Sequence, residues 1–159
     1  MKNILVPTDF SETAASALGH AAQLANVTGG RITLMHVIFL EKIKEELFGL
    51  DALENLVRVM DLPPDEARYT PSTAVASLHN AAQRQLDTAV AAVSTTSKIE
   101  TLIAEGRPST EIVDYAEKNN IDLIVMGTHG RSGLGRAFLG SVADNVIRQA
   151  ECPVMVVRM

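Results

Sequence analysis

Residues 3–38 read NILVPTDFSETAASALGHAAQLANVTGGRITLMHVI, and their pattern predicts a strand, a loop, a helix and a second strand in succession. The apolar residues 4–6 predict a strand that ends at the polar turn Pro7-Thr8-Asp9. Ser11 is a candidate N-cap, alanine and leucine then recur at helical spacing, and Gly29 is suited to ending that helix. Residues 32–38 are apolar at both alternating sets of positions, as in a strand covered on both faces. The stretch therefore predicts a βαβ unit.

The rest of the chain continues this alternation, apart from residues 39–73. Their charged amphipathic stretch and proline-containing loop predict a surface insertion that covers the sheet, gates a ligand or mediates assembly. We expect the later elements at residues 74–94 (helix), 99–104 (strand), 109–119 (helix), 121–126 (central strand), 137–150 (helix) and 154–157 (strand). This order predicts one α/β domain over residues 1–159, an open parallel sheet with helices on both faces.

Composition excludes several classes of protein. With 14 basic against 19 acidic residues the net charge is −5, which disfavours a nonspecific nucleic-acid binder. No apolar run approaches the roughly 20 residues that a membrane helix needs, and the N-terminus does not resemble a secretory segment, so we expect a soluble, cytoplasmic protein. Cys152 is the only cysteine, so no internal disulfide is expected. His20, His36 and His79 lack metal-ligand spacing; we expect them to be structural and predict no metal site.

Residues 127–136, GTHGRSGLGR, hold four of the ten glycines of the chain. Glycine lets backbone N–H groups approach a ligand closely, and two arginines with no acid make this segment suited to an anion. Ligands of such sheets lie beyond the carboxyl ends of the strands, which indicates this loop and residues 7–11. The segment lacks the P-loop and dinucleotide-binding motifs, and Asp9 stands without the acidic partners of a phosphorelay receiver. Gly140 falls inside the predicted last helix, where glycine costs about 1 kcal/mol.

A resemblance to a known family rests on three parts of the sequence. The spacing Gly127-x-x-Gly130, nine residues, then Gly140-Ser141 occurs together with the opening residues 4–11 and the ending residues 152–157. In these motifs the chain resembles the universal stress protein family, and specifically its ATP-binding branch. The resemblance implies a Rossmann-like sheet of five parallel strands in the order 3-2-1-4-5, a homodimer, and an adenine nucleotide bound across the carboxyl ends of the strands.

The resemblance also implies a role for individual positions. Pro7, Thr8 and Asp9 would line the adenosine, and Val37 would pack beside adenine. Gly127, His129, Gly130 and Arg131 would wrap the ribose and phosphates, whereas Gly140, Ser141 and Val142 would donate to the phosphates. A carboxylate can accept a hydrogen bond from a ribose hydroxyl or the adenine amine, and backbone N–H groups and a serine hydroxyl can donate to phosphate.

The sequence leaves three hypotheses for function. The first is a stress-response regulatory module that binds ATP, with Mg²⁺, hydrolyses it slowly at most and signals to an unidentified protein partner. The second is a nucleotide-processing enzyme such as an ATPase, although no catalytic residue is predicted. The third is a nucleotide-free interaction protein acting through residues 39–73. In the strand order that the resemblance implies, the apolar last strand, Val154–Val157, lies at a sheet edge that a second copy would cover; the alternative is a monomer with a loop over this edge.

Overall fold

The computed structural model describes residues 2–39, 71–128 and 139–158. These form five strands and four helices: β1 (Asn3–Pro7), α1 (Glu12–Thr28), β2 (Arg31–Ile38), α2 (Pro71–Ala92), β3 (Ile99–Glu105), α3 (Pro108–Lys118), β4 (Leu123–Gly127), α4 (Ser141–Gln149) and β5 (Val154–Val157). All strand pairs are parallel, in the order β3-β2-β1-β4-β5, which confirms the predicted sheet. Most of the predicted insertion lies outside the described residues.

The ends of α1 follow the predicted signals. The Ser11 hydroxyl accepts the Ala14 N–H at 3.3 Å, and Gly29 takes the left-handed conformation (φ 66°) while its N–H donates to the Ala25 carbonyl. A residue with a Cβ would be strained at that φ, which explains the glycine there. None of the described helices is both long and apolar enough to span a bilayer.

Two predicted helix starts are wrong by three residues or more. Helix α2 begins at Pro71 rather than at residue 74, because proline is tolerated in the first turn, where its missing N–H would have no intrahelical acceptor. Helix α4 begins at Ser141, and Gly140 is its N-cap with extended backbone (φ −62°, ψ 149°). Gly140 is thus not in a helix interior, and the predicted cost of a helical glycine does not arise.

The hydrophobic core forms two layers, one on each face of the sheet. Alternate residues of β1 point to opposite faces, so that Ile4 and Val6 pack with α1 whereas Leu5 packs with α3 and α4. The innermost side chains, among them Ile124 and Val125 of β4, are fully buried. Because the strands are parallel, this packing places all five carboxyl ends at one edge of the sheet, where the predicted site residues follow.

Candidate functional site

A cavity of about 220 Å³ lies at the carboxyl ends of β1, β2 and β4. The predicted site residues that line it come from four separate segments of the chain: Pro7, Thr8, Asp9, Val37, Gly127, Gly140, Ser141 and Val142. His129, Gly130 and Arg131, also predicted, lie outside the described residues. The fold therefore brings together every predicted site residue that the structure describes.

The loop after β1 is held by hydrogen bonds on each of its residues. Thr8 donates its N–H to the Met35 carbonyl at 2.8 Å, and its hydroxyl accepts the Phe10 N–H at 3.0 Å. The Oδ1 atom of Asp9 accepts from both the N–H and the hydroxyl of Ser11, at 3.1 and 2.6 Å. Asp9 is half-buried at the cavity wall, and one of its two carboxylate oxygens is fixed by Ser11. Among the described residues, no hydrogen bond ends on the other oxygen, Oδ2.

The N-terminus of α4 faces the cavity with backbone donors. The N–H groups of Ser141, Val142 and Ala143 belong to the first turn and cannot bond within the helix. Within the described ranges, no protein acceptor meets them, and the helix dipole adds positive potential at this end. Such an arrangement favours an anion, and the Ser141 hydroxyl adds a further donor.

Gly140 and Gly127 differ in part from their predicted roles. The Gly140 N–H donates to the Thr128 carbonyl at 2.7 Å, so this donor serves the protein rather than a ligand. A Cβ on Gly127 would lie 2.8 Å from Thr13 Oγ1 and 3.0 Å from the Thr13 carbonyl carbon. The first turn of α1 thus approaches β4 so closely that only glycine fits at position 127.

Sequence reasoning missed two polar residues of the cavity wall: Thr128, and His36, which it took to be structural. The His36 ring lines the cavity, and its Nδ1 atom lies 2.8 Å from the Thr8 carbonyl oxygen. Its position near the carboxyl end of β2, one residue before Val37, was the available signal. Several apolar residues of the wall were missed as well: Met35 of β2, Pro108 and Ile112 of α3, and Met126 of β4.

Two further sequence expectations concern cysteine and metals. Cys152 is half-buried, and burial raises the pKa of its thiol, which favours the protonated form over the reactive thiolate. In the part of the chain that the structure describes, no three His, Cys, Asp or Glu side chains lie close enough together to hold a metal ion.

Comparison with known proteins places the chain in a family. The model of the universal stress protein family matches residues 1–158. The chain belongs to the universal stress protein family. Universal stress protein MJ0577 of Methanocaldococcus jannaschii is 33% identical over 99% of this chain and 94% of its own length. The solved structure of MJ0577 has a TM-score of 0.64 and is covered over 96%.

Other universal stress proteins share the architecture. UspA from Lactobacillus plantarum is 28% identical with a TM-score of 0.65, over 99% of this chain and 97% of the solved chain. Two solved structures with TM-scores of 0.61 are complexes, one with cAMP and one, from Archaeoglobus fulgidus, with dAMP. They are 24% and 23% identical to this chain, cover 99% of it, and are covered over 96% and 98% of their own lengths. At that identity they show the shared universal stress protein fold.

Proposed function

We propose that this universal stress protein binds ATP in the cavity at the carboxyl ends of β1, β2 and β4. The observation that carries the proposal is that three backbone N–H groups at the N-terminus of α4 face the same cavity as the Asp9 carboxylate. The first feature suits a phosphate group and the second a nucleoside. The solved complexes with cAMP and dAMP add that this fold can hold an adenine nucleotide.

Each lining residue then has a chemical role. Asp9 accepts a hydrogen bond from a ribose hydroxyl or from the adenine amine, while Pro7, Thr8 and Val37 line the adenosine. The N–H groups of α4 and the Ser141 hydroxyl donate to the phosphates. His129, Gly130 and Arg131, which the sequence places next to Gly127, complete the contacts to ribose and phosphates.

We further propose that Mg²⁺ enters with the nucleotide rather than as a resident metal. Mg²⁺ in nucleotide sites is commonly held by phosphate oxygens and only one or two carboxylates, and it neutralises phosphate charge. Asp9 is the one carboxylate among the described lining residues, and Ser11 already occupies its Oδ1. ATP should accordingly bind more tightly with Mg²⁺ than without it.

The proposed activity is regulation rather than turnover. Efficient hydrolysis needs a group that positions water and charge-stabilising groups directed at the γ-phosphate. The sequence offers no evident base for this task near the expected phosphate position, so we expect slow hydrolysis at most. In this proposal the nucleotide-bound homodimer, paired through β5 in the cytoplasm, reports energy or stress status to a protein partner.

The first experiment is to denature freshly purified protein and to identify any released small molecule by chromatography and mass spectrometry. ATP at close to one per chain would support binding with slow turnover, whereas ADP or AMP would favour the alternative of an ATPase. The same protein is then titrated with Mg-ATP while its thermal unfolding is followed. Saturating ligand must stabilise the native state, so no rise in Tm up to about 1 mM would contradict the proposal. It would favour instead an interaction protein that acts through residues 39–73.

A further inference from the structure

The His36 side chain links β2 to the loop after β1 by a hydrogen bond and by a contact between two aromatic rings. Its Nδ1 atom lies 2.8 Å from the Thr8 carbonyl oxygen. A carbonyl oxygen only accepts, so Nδ1 carries the proton and donates, in the neutral ring as in the charged one. The Thr8 N–H donates in turn to Met35, the neighbour of His36 on β2. Both ends of the Thr8 residue are therefore bonded to β2.

The His36 ring also contacts Phe10. The two ring centroids are 4.5 Å apart and the ring planes are inclined by 33°. Phe10 has a φ of 64°, a left-handed conformation that a residue with a bulky side chain rarely adopts. Such a conformation persists only where the surroundings hold it, and here the His36 ring and the Thr8 hydroxyl do so.

Asp9 lies between these two fixed residues. With Thr8 held by the imidazole N–H and Phe10 by the ring face, the backbone on both sides of Asp9 is set by one side chain of β2. Ser11 then fixes Oδ1, and the orientation of the whole carboxylate in the cavity follows. His36 itself lines that cavity, so a change at this position acts directly on the geometry of the wall.

We propose that His36 is a positioning residue for nucleotide binding, which orders the loop of residues 8–10 so that Asp9 meets the nucleoside in a preformed geometry. This inference rests on the proposed function. A preordered loop loses less conformational entropy on binding, so removing its anchor weakens affinity.

Three substitutions separate the hydrogen bond from simple filling of space. His36→Asn retains an N–H donor close to the position of Nδ1, His36→Gln moves the donor further out, and His36→Leu retains volume without a donor. We expect Mg-ATP to bind about tenfold more weakly to the leucine variant, the effect of losing roughly one hydrogen bond and some loop order, and the asparagine variant to recover most of this loss. Glutamine should recover less than asparagine. Affinities are measured by isothermal titration calorimetry on proteins whose folding is verified by circular dichroism.

A matched control is His79→Leu. His79 also forms a polar contact between elements, 2.6 Å from Glu105 Oε1, but does not line the cavity, so its loss should leave affinity unchanged. Proton–nitrogen correlation spectra of the wild type should show His36 protonated on Nδ1, a signature that mere packing does not require. Folded His36→Leu with wild-type affinity, or equal losses in the leucine and asparagine variants, would overturn the positioning role alone. Absence of binding by the wild type would overturn the proposed function and this inference with it.

Discussion

Gly140 and Gly127 share one predicted motif, yet the structure gives each a different physical reason to be glycine. Gly127 is enclosed by Thr13 of α1, so its lack of a Cβ serves packing. Gly140 has an extended backbone that any residue can adopt, and it caps α4 without a side chain. The backbone conformation at position 140 is therefore open to other residues, and a side chain there would lie at the proposed phosphate site.

Gly140→Asp should abolish nucleotide binding without unfolding the protein. Aspartate is a favourable N-cap residue, and its carboxylate would accept the same N–H groups of α4 that we assign to phosphate. It would also repel the phosphate charge, and we expect affinity for Mg-ATP to fall by about 100-fold or more. The control is Gly140→Asn, which has nearly the same shape and no charge and should retain more affinity. A folded aspartate variant with wild-type affinity, measured by calorimetry, would show that α4 does not hold the phosphates.

A second prediction concerns the pH dependence of stability and rests on the Asp122 carboxylate. Its Oδ2 atom accepts the backbone N–H groups of Lys2 and Asn3 at 2.6 and 2.9 Å, and these bonds lower the pKa of the carboxyl below its ordinary value. Because the folded pKa is the lower one, the carboxylate stabilises the native state above the unfolded value of about 4, and this contribution is lost as pH falls through the folded pKa.

Asp122→Asn should therefore lower the free energy of unfolding at pH 7, with a difference from wild type that shrinks below about pH 4. Urea unfolding across that range measures the difference. Asp114→Asn removes the same charge from the exposed face of α3 and serves as the control. A difference that is constant from pH 7 to pH 3 would contradict the assigned role of the ionised carboxylate.

Helices and strands were predictable where local signals agree with tertiary packing, as in α1, whose cap, apolar stripe and final glycine all lie within its own residues. The start of α4 was not predictable, because residues 137–140 carry no strong signal for a helix start. Its N-cap is a glycine, which fits a helical pattern equally well. What fixes this end is the long-range hydrogen bond from Gly140 to Thr128. Helix boundaries set by such distant partners are not encoded in the local periodicity.

Substitution by alanine should change the stability of the protein in opposite directions at two glycines, one at the contact between α1 and β4 and one within α1. Gly127→Ala must displace Thr13, whose backbone cannot move without shifting α1, so the free energy of unfolding should fall by about 1–3 kcal/mol. Gly19 lies within α1, and no atom would lie within 4 Å of an added Cβ. Gly19→Ala should therefore raise the free energy of unfolding by about 0.5–1 kcal/mol. Urea unfolding of both variants is the measurement, and equal stability of Gly127→Ala and wild type would disprove the close packing.

The cavity is lined by segments that are distant in the sequence, and this limits how many of its residues the sequence alone can predict. Its two loops were predictable, since parallel strands present their carboxyl ends at one edge of the sheet. The contribution of His36 was not predicted. Its place near the end of β2 was visible in the sequence, but the hydrogen bond that defines its role joins β2 to the loop after β1 and is set by the tertiary fold. The wall from α3 was missed for the same reason: Ile112 reads as an ordinary core residue of its helix.

Strand β5 lies at one edge of the sheet, and this edge underlies a prediction about dimer formation. An uncovered apolar edge strand is prone to aggregation, so we expect a second copy to cover it. Met155 is 36% exposed on this strand, and Met155→Asp would place a charge in the proposed interface. Wild type should sediment as a dimer and Met155→Asp as a monomer. The control Val27→Asp alters a side chain on α1 that is 87% exposed and should sediment like wild type. A wild-type monomer, or a dimer unaffected by Met155→Asp, would show that this strand does not mediate the pairing.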